Sequence, residues 1–382
     1  MNITIVASKF LPALGGVEIA VWNLAKEWKR QGHSVQIITN RFSRNLPQRE
    51  VIDGVGVYRF FYVWGLPPMS VLPILKFLVQ VILIPLTFGG TWLLFRRHKT
   101  HVVNLHFVGG PAPYVYLLSY LFRCKYVVSL HGDDVEADPF RSRVRMVLLE
   151  NLLKRADLVT INSKYLEQRV TTLVSGVREK LAAIGNGVDI EEIGRIPAYT
   201  HRRPYVLGLG RLVHKKGMDV LVQAFALLSE RVKDLDLIIG GHGPEEEKIR
   251  ILARELRIPD RVVLWGETSR FHSIALIKGA EVLVVPSRRE PFGIIVLEGA
   301  VSGKPVVATR VGGIPELAQM LPNVELVEPQ DPVALKEKIE QVMERKNYYL
   351  QSERLKETAR VLSRRYSWRG IALSLSKMML SP

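Results

Sequence analysis

The feature that most constrains the fold is the alternation of short apolar runs with segments of helical periodicity. Between the first two runs, residues 17–30 carry apolar side chains at helical spacing and stop near Gly32. Such alternation is typical of βαβ units, so it predicts an α/β chain with doubly wound parallel sheets and ligands at the carboxyl ends of the strands. The runs lie at residues 3–7, 35–39, 102–107, 126–130, 158–162, 205–210, 235–240, 262–265, 281–286 and 306–309.

The length of 382 residues is enough for two or three domains. A polar stretch at residues 191–203 contains Pro197 and is followed by Pro204. We therefore place a linker there, between an N-terminal domain at residues 1–195 and a C-terminal domain at residues 204–365.

Net charge and cysteine content limit the classes of binding partner and the cellular compartment that we expect. The net charge is +16, and more than half of the excess lies in residues 1–190. Such a surface favours an anionic membrane or a phosphorylated substrate, and we predict no nucleic-acid partner because no zinc or nucleic-acid motif is found. The single Cys124 excludes an internal disulfide framework, and the N-terminus lacks the basic region of a signal peptide. Both observations favour a cytoplasmic protein.

An anion site is predicted after the apolar run at residues 281–286. Glu290 and Glu298 flank a turn that leads into a helix. The free N–H groups of a first helical turn bind anions. Carboxylates on either side suit an anion joined to a polyol, because they accept hydrogen bonds from hydroxyls. The backbone of the turn and first helical turn, expected to hold the phosphate, belongs to Phe292, Gly293, Ile294 and Ile295.

The whole segment at residues 286–316, PSRREPFGIIVLEGAVSGKPVVATRVGGIPE, resembles the E-x7-E region of the retaining, sugar-nucleotide-dependent glycosyltransferases, most closely family 4. That resemblance implies the GT-B fold: two Rossmann-like domains facing across a cleft, the C-terminal one holding the nucleotide sugar and the N-terminal one the acceptor. It places Glu290 at the donor sugar and Glu298 at the ribose. It also implies that residues 366–382 form a terminal helix that returns to the first domain.

A second motif follows the run at residues 205–210. The segment GRLVHKKG resembles the family's G-R-x4-K-G, which aligns Arg211 and Lys216 rather than Lys215. Two fixed cations at a strand tip stabilise the charge that grows on a leaving diphosphate. Glycine-rich turns after this strand and the next two are expected to line the nucleotide pocket, through Gly210, Gly241, Gly243 and Gly266.

The N-terminal loop matches the family's P-x-x-G-G-x-E at Pro12, Gly15, Gly16 and Glu18. Small residues there let backbone amides approach the donor, and Glu18 is assigned to the acceptor. The loop does not match G-x-G-x-x-G, and no acidic residue on the second strand suits a ribose. We therefore predict no nicotinamide site.

The strand at residues 126–130 runs directly into His131, Gly132, Asp133 and Asp134. A histidine at a strand tip lies in the ligand crevice, and the resemblance makes His131 an active-site residue near the transferred sugar. Asp133 and Asp134 are candidates to orient His131 or to bind acceptor hydroxyls.

Residues 71–95 are mostly apolar and are followed by the basic segment 96–99. The stretch approaches the length of a membrane span, but Gln80, Pro85 and the glycine pair 89–90 interrupt it, and a span would split the sheet. We expect helices on the N-terminal domain that dock on a membrane, with the basic residues meeting anionic head groups. Core packing and a true span remain alternatives.

The resemblance implies a retaining glycosyltransferase that moves a sugar from a nucleotide-diphosphate sugar to an acceptor hydroxyl. The basic first domain and the apolar stretch favour a lipid-linked or membrane-proximal glycan precursor as that acceptor. Asp234-x-Asp236 mimics the metal motif of GT-A, the other glycosyltransferase fold, but it lies at the start of a strand, far from the ligand edge. No cofactor and no obligatory metal are expected, because no other metal-ligand pattern is found and cations are predicted at the phosphate. Two alternatives stay open. One is a non-hydrolysing sugar-nucleotide epimerase of GT-B fold, and the other is a non-catalytic scaffold that binds sugar nucleotides or membranes.

Overall fold

The structure is a computed structural model that describes residues 1–13, 15–62, 71–136, 143–349 and 351–380. The chain divides into two compact units. The first contains residues 1–185 and 368–382, and the second contains residues 186–367. The terminal segment thus belongs to the first unit from residue 368 onward. The boundary between the units, at residues 185 and 186, precedes the predicted linker at residues 191–203.

The first unit is built on one sheet with the strand order β3-β4-β2-β1-β5-β6-β7-β8. Neighbouring strands are parallel apart from the β3–β4 pair, which is antiparallel and forms the edge. This edge hairpin and the last strand were not predicted, because they are short and partly exposed. The strands are β1 (Asn2–Ala7), β2 (Ser34–Asn40), β3 (Arg49–Ile52), β4 (Val55–Phe60), β5 (Val102–His106), β6 (Lys125–Ser129), β7 (Leu158–Ile161) and β8 (Leu181–Ala183).

The second unit holds a parallel sheet with the order β11-β10-β9-β12-β13-β14. Counted from its own first strand, this is the order 3-2-1-4-5-6 of the Rossmann fold. Every residue of β9 and β12 is buried, as expected for strands covered on both faces by helices. The strands are β9 (Tyr205–Leu209), β10 (Asp236–Gly240), β11 (Val262–Gly266), β12 (Val282–Val285), β13 (Val306–Thr309) and β14 (Val324–Val327).

The helices follow the strands in the predicted alternation. In the first unit they are α1 (Gly16–Arg30), α2 (Val71–His98), α3 (Ala112–Leu121), α4 (Asp133–Glu136), α5 (Arg143–Arg155) and α6 (Lys164–Leu173). In the second unit they are α7 (Ile190–Arg195), α8 (Met218–Arg231), α9 (Glu246–Glu255), α10 (Arg270–Gly279), α11 (Ile294–Val301), α12 (Ile314–Ala318), α13 (Pro332–Glu344), α14 (Lys346–Tyr349) and α15 (Ser352–Arg365). The last helix, α16 (Trp368–Leu380), belongs to the first unit.

Helix α7 corrects the linker assignment. Asp189 caps the helix by accepting a hydrogen bond from the Glu192 amide, and Ile193 is buried in the core of the second unit. The first half of the polar stretch is therefore folded onto this unit.

Helix α2 covers the apolar stretch as one helix with Pro85 inside it. Beyond residue 84, Phe95 is fully buried and Phe88 and Trp92 pack against the core of the sheet. The side chains at residues 71–83, where the predicted docking stretch begins, lie outside the described residues. Within the described part of the chain, no helix combines the length and apolar character needed to cross a membrane.

Candidate functional site

The two strongest motifs lie at the switch point of the second sheet. Strands β9 and β12 are neighbours there. The strand after β9 lies on one side of this pair, and the strand after β12 lies on the other. Ligands of open α/β sheets bind outside the carboxyl ends of such a strand pair. The loop after β9 carries Arg211 and Lys216, and the loop after β12 carries Glu290.

Close backbone contacts join these two loops. Gly217 has φ +66°, and a Cβ atom at this position would lie 2.1 Å from the Pro286 carbonyl oxygen. The Arg288 amide donates to the Lys215 carbonyl at 2.8 Å, and the Arg288 guanidinium donates to both Asp219 oxygens at 2.8 and 2.6 Å. Burial opposes ionisation of Asp219, but the hydrogen bonds from Arg288 hold its pKa below the usual value. Both loops therefore form one fixed wall of the crevice.

Lys216 and Glu290 meet directly in this wall. The Lys216 Nζ donates to Glu290 Oε2 at 2.5 Å, and the two side chains are only 19% and 12% exposed. A cation and a carboxylate held side by side at a strand tip present a phosphate-binding charge beside an acceptor for hydroxyls.

Arg211 is exposed and follows Gly210 at the tip of β9. Its loop is tied to the neighbouring strands, since the Gly210 amide donates to Gly240 and the Gly241 amide donates to Gly266, at 3.0 and 2.8 Å. At Gly241, with φ +136°, a Cβ atom would lie 1.9 Å from the Gly210 carbonyl oxygen. The predicted pocket glycines are thus brought together along three strand ends, with Gly243 packed in the same way against the Leu212 carbonyl.

Helix α11 opens in the same crevice. Gly293 is its N-cap, with φ +101°, and no side chain caps it. The amides of Ile294 and Ile295 occupy the first turn, where N–H groups have no acceptor within the helix. Phe292 is only 4% exposed and packs against Tyr366, with ring centroids 5.9 Å apart. Its aromatic side chain is therefore part of the core, so a ligand contact at Phe292 is restricted to the backbone.

Glu298 has a partner that sequence reasoning missed. The Arg270 Nη1 donates to Glu298 Oε1, and the Arg270 Nε donates to Glu192 Oε2 at 3.4 Å. Glu298 is 5% exposed. Burial opposes the charge of Arg270, but the two carboxylates raise its pKa. No spacing in the sequence links these residues, because they come from α7, α10 and α11.

In the first unit, His131 follows β6 and contacts a second histidine. The His106 Nδ1 and the His131 Nε2 are 3.0 Å apart, and the rings are stacked with centroids 5.2 Å apart. His106 is the last residue of β5, the strand beside β6. Burial lowers the pKa of His131 to about 4 and the pKa of His106 well below its usual range, so both rings are neutral near pH 7.

Of the two roles predicted for Asp134, its contacts favour the orientation of His131 over the binding of acceptor hydroxyls. Asp134 is 1% exposed, and its carboxylate accepts from the His131 amide at 3.1 and 3.2 Å and from the Gly132 amide at 2.8 Å. Burial raises the pKa of Asp134 to about 7, against the effect of these hydrogen bonds. The carboxylate orients the backbone of His131 instead of lying on an accessible surface. Asp133, one residue earlier, is partly exposed.

The N-terminal loop lies at the switch point of the first sheet, between β1 and β5. Gly15 is the N-cap of α1, Gly16 is its first residue, and Glu18 lies in its first turn. Glu18 Oε2 lies 2.5 Å from the position that a Gly15 Cβ atom would occupy, so the missing side chain makes room for this carboxylate.

Two family models match this chain, and together they span most of it. A model of glycosyltransferase family 4 matches residues 14–192, and a model of glycosyl transferases group 1 matches residues 189–361. An uncharacterized glycosyltransferase of Methanocaldococcus jannaschii is 26% identical, over 97% of this chain and 96% of its own. The D-inositol 3-phosphate glycosyltransferase of Corynebacterium urealyticum is 29% identical, over 96% and 91%.

Solved structures share the fold over nearly the whole chain. The sucrose-phosphate synthase of Thermosynechococcus elongatus has a TM-score of 0.78 at 21% identity and covers 98% of both chains. Anabaena HepE, solved in complex with UDP and glucose, has a TM-score of 0.77 at 20% identity and covers 100% of both chains. Both likenesses establish the GT-B architecture of the described chain.

Proposed function

The chain belongs to the glycosyltransferases of family 4, and from that premise we propose that it is a retaining enzyme that uses a nucleotide-diphosphate sugar. The observation that carries the proposal is the Lys216–Glu290 contact at the switch point of the second sheet. Membership in a glycosyltransferase family leaves no support for the epimerase and the scaffold considered above.

The proposed donor contacts follow from the chemistry of the crevice. Lys216, Arg211 and the first amides of α11 hold the diphosphate, since each supplies positive charge or a free N–H group. Glu290 accepts from a hydroxyl of the donor sugar, and Glu298 accepts from the ribose. The ligands in the HepE structure, UDP and glucose, support a donor of this class.

In the proposed reaction, the acceptor hydroxyl attacks the anomeric carbon from the face of the leaving phosphate. The new C–O bond forms on the face from which the bond to the β-phosphate breaks, which retains the configuration. The bonding electrons leave with the nucleoside diphosphate, whose oxygen takes the proton of the acceptor hydroxyl. Lys216 and Arg211 stabilise the growing negative charge, so this scheme requires no divalent metal.

We propose a membrane-proximal acceptor with a phosphate or lipid portion. Two relatives are named for inositol-containing acceptors, D-inositol 3-phosphate and phosphatidylinositol. The first unit also exposes apolar side chains on α3, of which Tyr120 is 68% exposed and Leu121 54%. Phe122, just after α3, packs against Trp92 and Phe95 of α2, which brings this face beside the exposed Arg96 and Arg97. An apolar face with basic neighbours suits an anionic membrane surface.

The test is transfer of a sugar from uridine, guanosine and adenosine diphosphate sugars to inositol phosphates and to lipids in vesicles. Product is detected by mass, and its anomeric configuration is determined by NMR. We expect one donor to give product with the configuration of the donor. Product of inverted configuration would refute retention. Failure of every nucleotide sugar to support turnover would refute the donor class.

A further inference from the structure

His106 and His131 form a side-chain pair at the carboxyl ends of the neighbouring strands β5 and β6. His106 closes β5 and is 1% exposed, whereas His131 follows β6 and is partly exposed. The rings are inclined by 27°, and the short contact joins His106 Nδ1 to His131 Nε2. His131 is therefore the member of the pair that reaches the surface, and His106 lies behind it.

The proton count of the pair favours one arrangement. A neutral imidazole carries one N–H donor and one acceptor nitrogen. The remaining nitrogen of His106, Nε2, is buried and has no hydrogen-bond partner among the described residues. If His131 were the donor, His106 would carry its own proton on this buried Nε2. An orphaned buried N–H group is rarer in proteins than an unsatisfied acceptor. The His106 Nδ1–H is therefore the donor.

We propose that His106 is a positioning residue whose Nδ1–H donates to His131 Nε2 and so fixes His131 as the Nδ1–H tautomer. The Nε2 lone pair of His131 is then occupied, and Nδ1–H is its remaining polar group. His131 serves the reaction as a hydrogen-bond donor to the substrate and does not remove the proton of the acceptor hydroxyl. The inference rests on the catalytic assignment of His131, and it agrees with transfer of that proton to the leaving phosphate.

The surrounding structure holds both histidines in place. The Asp134 carboxylate accepts from the His131 backbone amide, so the ring leaves a fixed turn. One layer below, buried side chains join β5, β6 and β7, since Thr160 Oγ1 donates to Ser129 Oγ at 2.8 Å and Ser129 Oγ donates to Asn104 Oδ1 at 2.9 Å. These contacts fix the register of β5 against β6, and that register sets the distance between the two rings.

The experiment compares two variants of nearly equal shape. In His106→Asn, the side-chain amide nitrogen takes the place of Nδ1 and keeps a donor toward His131. In His106→Leu, the donor is lost. The full-length protein is labelled with nitrogen-15 at its 9 histidines, and the His131 signals are assigned by their loss in His131→Asn. Long-range proton–nitrogen NMR spectra then report which ring nitrogen carries the proton.

We expect His131 to be protonated at Nδ1 in the wild type and in His106→Asn, and to become a mixture of tautomers in His106→Leu. The kcat of His106→Leu should fall about five- to tenfold, the effect of one hydrogen bond, with the KM for the donor unchanged and with recovery in His106→Asn. A His131 ring protonated at Nε2 in the wild type, or an unchanged tautomer in His106→Leu, would overturn the proposal. Loss of the glycosyltransferase assignment would leave the spectra intact and remove only the kinetic difference.

Discussion

At the scale of single residues, the second unit concentrates its chemistry in contacts between side chains far apart in sequence. Lys216 and Glu290 are separated by 74 positions and meet at 2.5 Å. Each residue was predicted from its own motif, and the resemblance supplied the roles. Their ion pair was beyond sequence reasoning, because it depends on β9 and β12 being neighbours in the sheet.

Replacement of Lys216 by Ala tests the clamp on the leaving phosphate. We expect kcat to fall about 10²- to 10³-fold, as when one donor to a developing anion is removed. Steady-state kinetics with the nucleotide sugar that supports transfer provides the measurement. Lys215→Ala is the matched control, because it removes the same charge from the adjacent position and should change kcat less than about threefold. Equal losses in the two variants would contradict the assignment.

Asp134 and His131 give opposite pH dependences of stability. The pKa of Asp134 is raised to about 7, so its contribution to the free energy of unfolding is complete at low pH and is lost as the pH rises toward 7. The pKa of His131 is lowered to about 4, so its contribution is complete above its ordinary value of 6.5 and is lost as the pH falls toward 4.

Asp134→Asn removes only the contribution to the free energy of unfolding that decreases as the pH rises. The free energy of unfolding should therefore rise more steeply between about pH 4.5 and 6.5, by up to about 1.4 kcal/mol per pH unit. Urea unfolding at several pH values measures this slope. Asp133→Asn is the control and should steepen the slope much less, because the Asp133 charge is the smallest of the causes that raise the pKa of Asp134. A slope for Asp134→Asn parallel to the wild type would exclude a protonated carboxyl at this position.

At the scale of elements, Arg270 joins α10 to α11 and α7 through two carboxylates. Removing one partner of a buried ion pair leaves an uncompensated charge. We expect Arg270→Met to lower the free energy of unfolding by about 3 kcal/mol, and the double variant Arg270→Met with Glu298→Gln to recover most of that loss.

Urea unfolding of the single and double variants measures the coupling. The control is Arg195→Met, because the Arg195–Glu191 pair is 79% and 84% exposed and should contribute less than about 0.5 kcal/mol. Additive effects of Arg270→Met and Glu298→Gln would show that the two helices are not joined through this pair.

The exposed face of α3 is a second feature that can be tested at the scale of elements. We expect the wild type to bind vesicles that contain anionic lipid, with affinity falling as salt is added. Tyr120→Glu should weaken binding about tenfold, because it removes an apolar side chain from the interface and adds a like charge.

Co-sedimentation with vesicles is the assay. Val51→Glu is the control, because Val51 is a hydrophobic residue that is 65% exposed, close to the 68% of Tyr120, but lies on the edge strand β3. Binding of Tyr120→Glu at wild-type strength would exclude α3 as the docking face.

Elements differ in how well the sequence predicted them. Continuous apolar runs such as residues 205–210 and 281–286 became buried strands because both of their faces are covered by helices. The edge hairpin β3–β4 was missed since half of its side chains face outward and no continuous apolar run marks it. The segment at residues 332–365 is helical, but it is divided into three helices, α13, α14 and α15. Strand order and the Arg270 contact depend on tertiary pairing, which a local pattern does not contain.

At the scale of the whole molecule, the two units carry different parts of the proposed function. The second unit has the Rossmann strand order and, at its switch point, both motifs that are predicted to bind phosphate. The first unit holds the histidine pair and the exposed apolar face of α3. The excess positive charge of the first half of the chain favours an anionic acceptor or membrane on that unit.

The central claim is that the second unit binds a nucleoside diphosphate sugar through Arg211 and Lys216. The most direct measurement is thermal unfolding of the wild type and Arg211→Ala with uridine, guanosine and adenosine diphosphates and their sugar conjugates. A ligand at about a hundred times its dissociation constant stabilises the folded protein by about 2.7 kcal/mol. We expect nucleotides of one base to raise the Tm of the wild type, and we expect Arg211→Ala to lose this shift. Folded wild-type protein that responds to none of them at saturation would contradict the account.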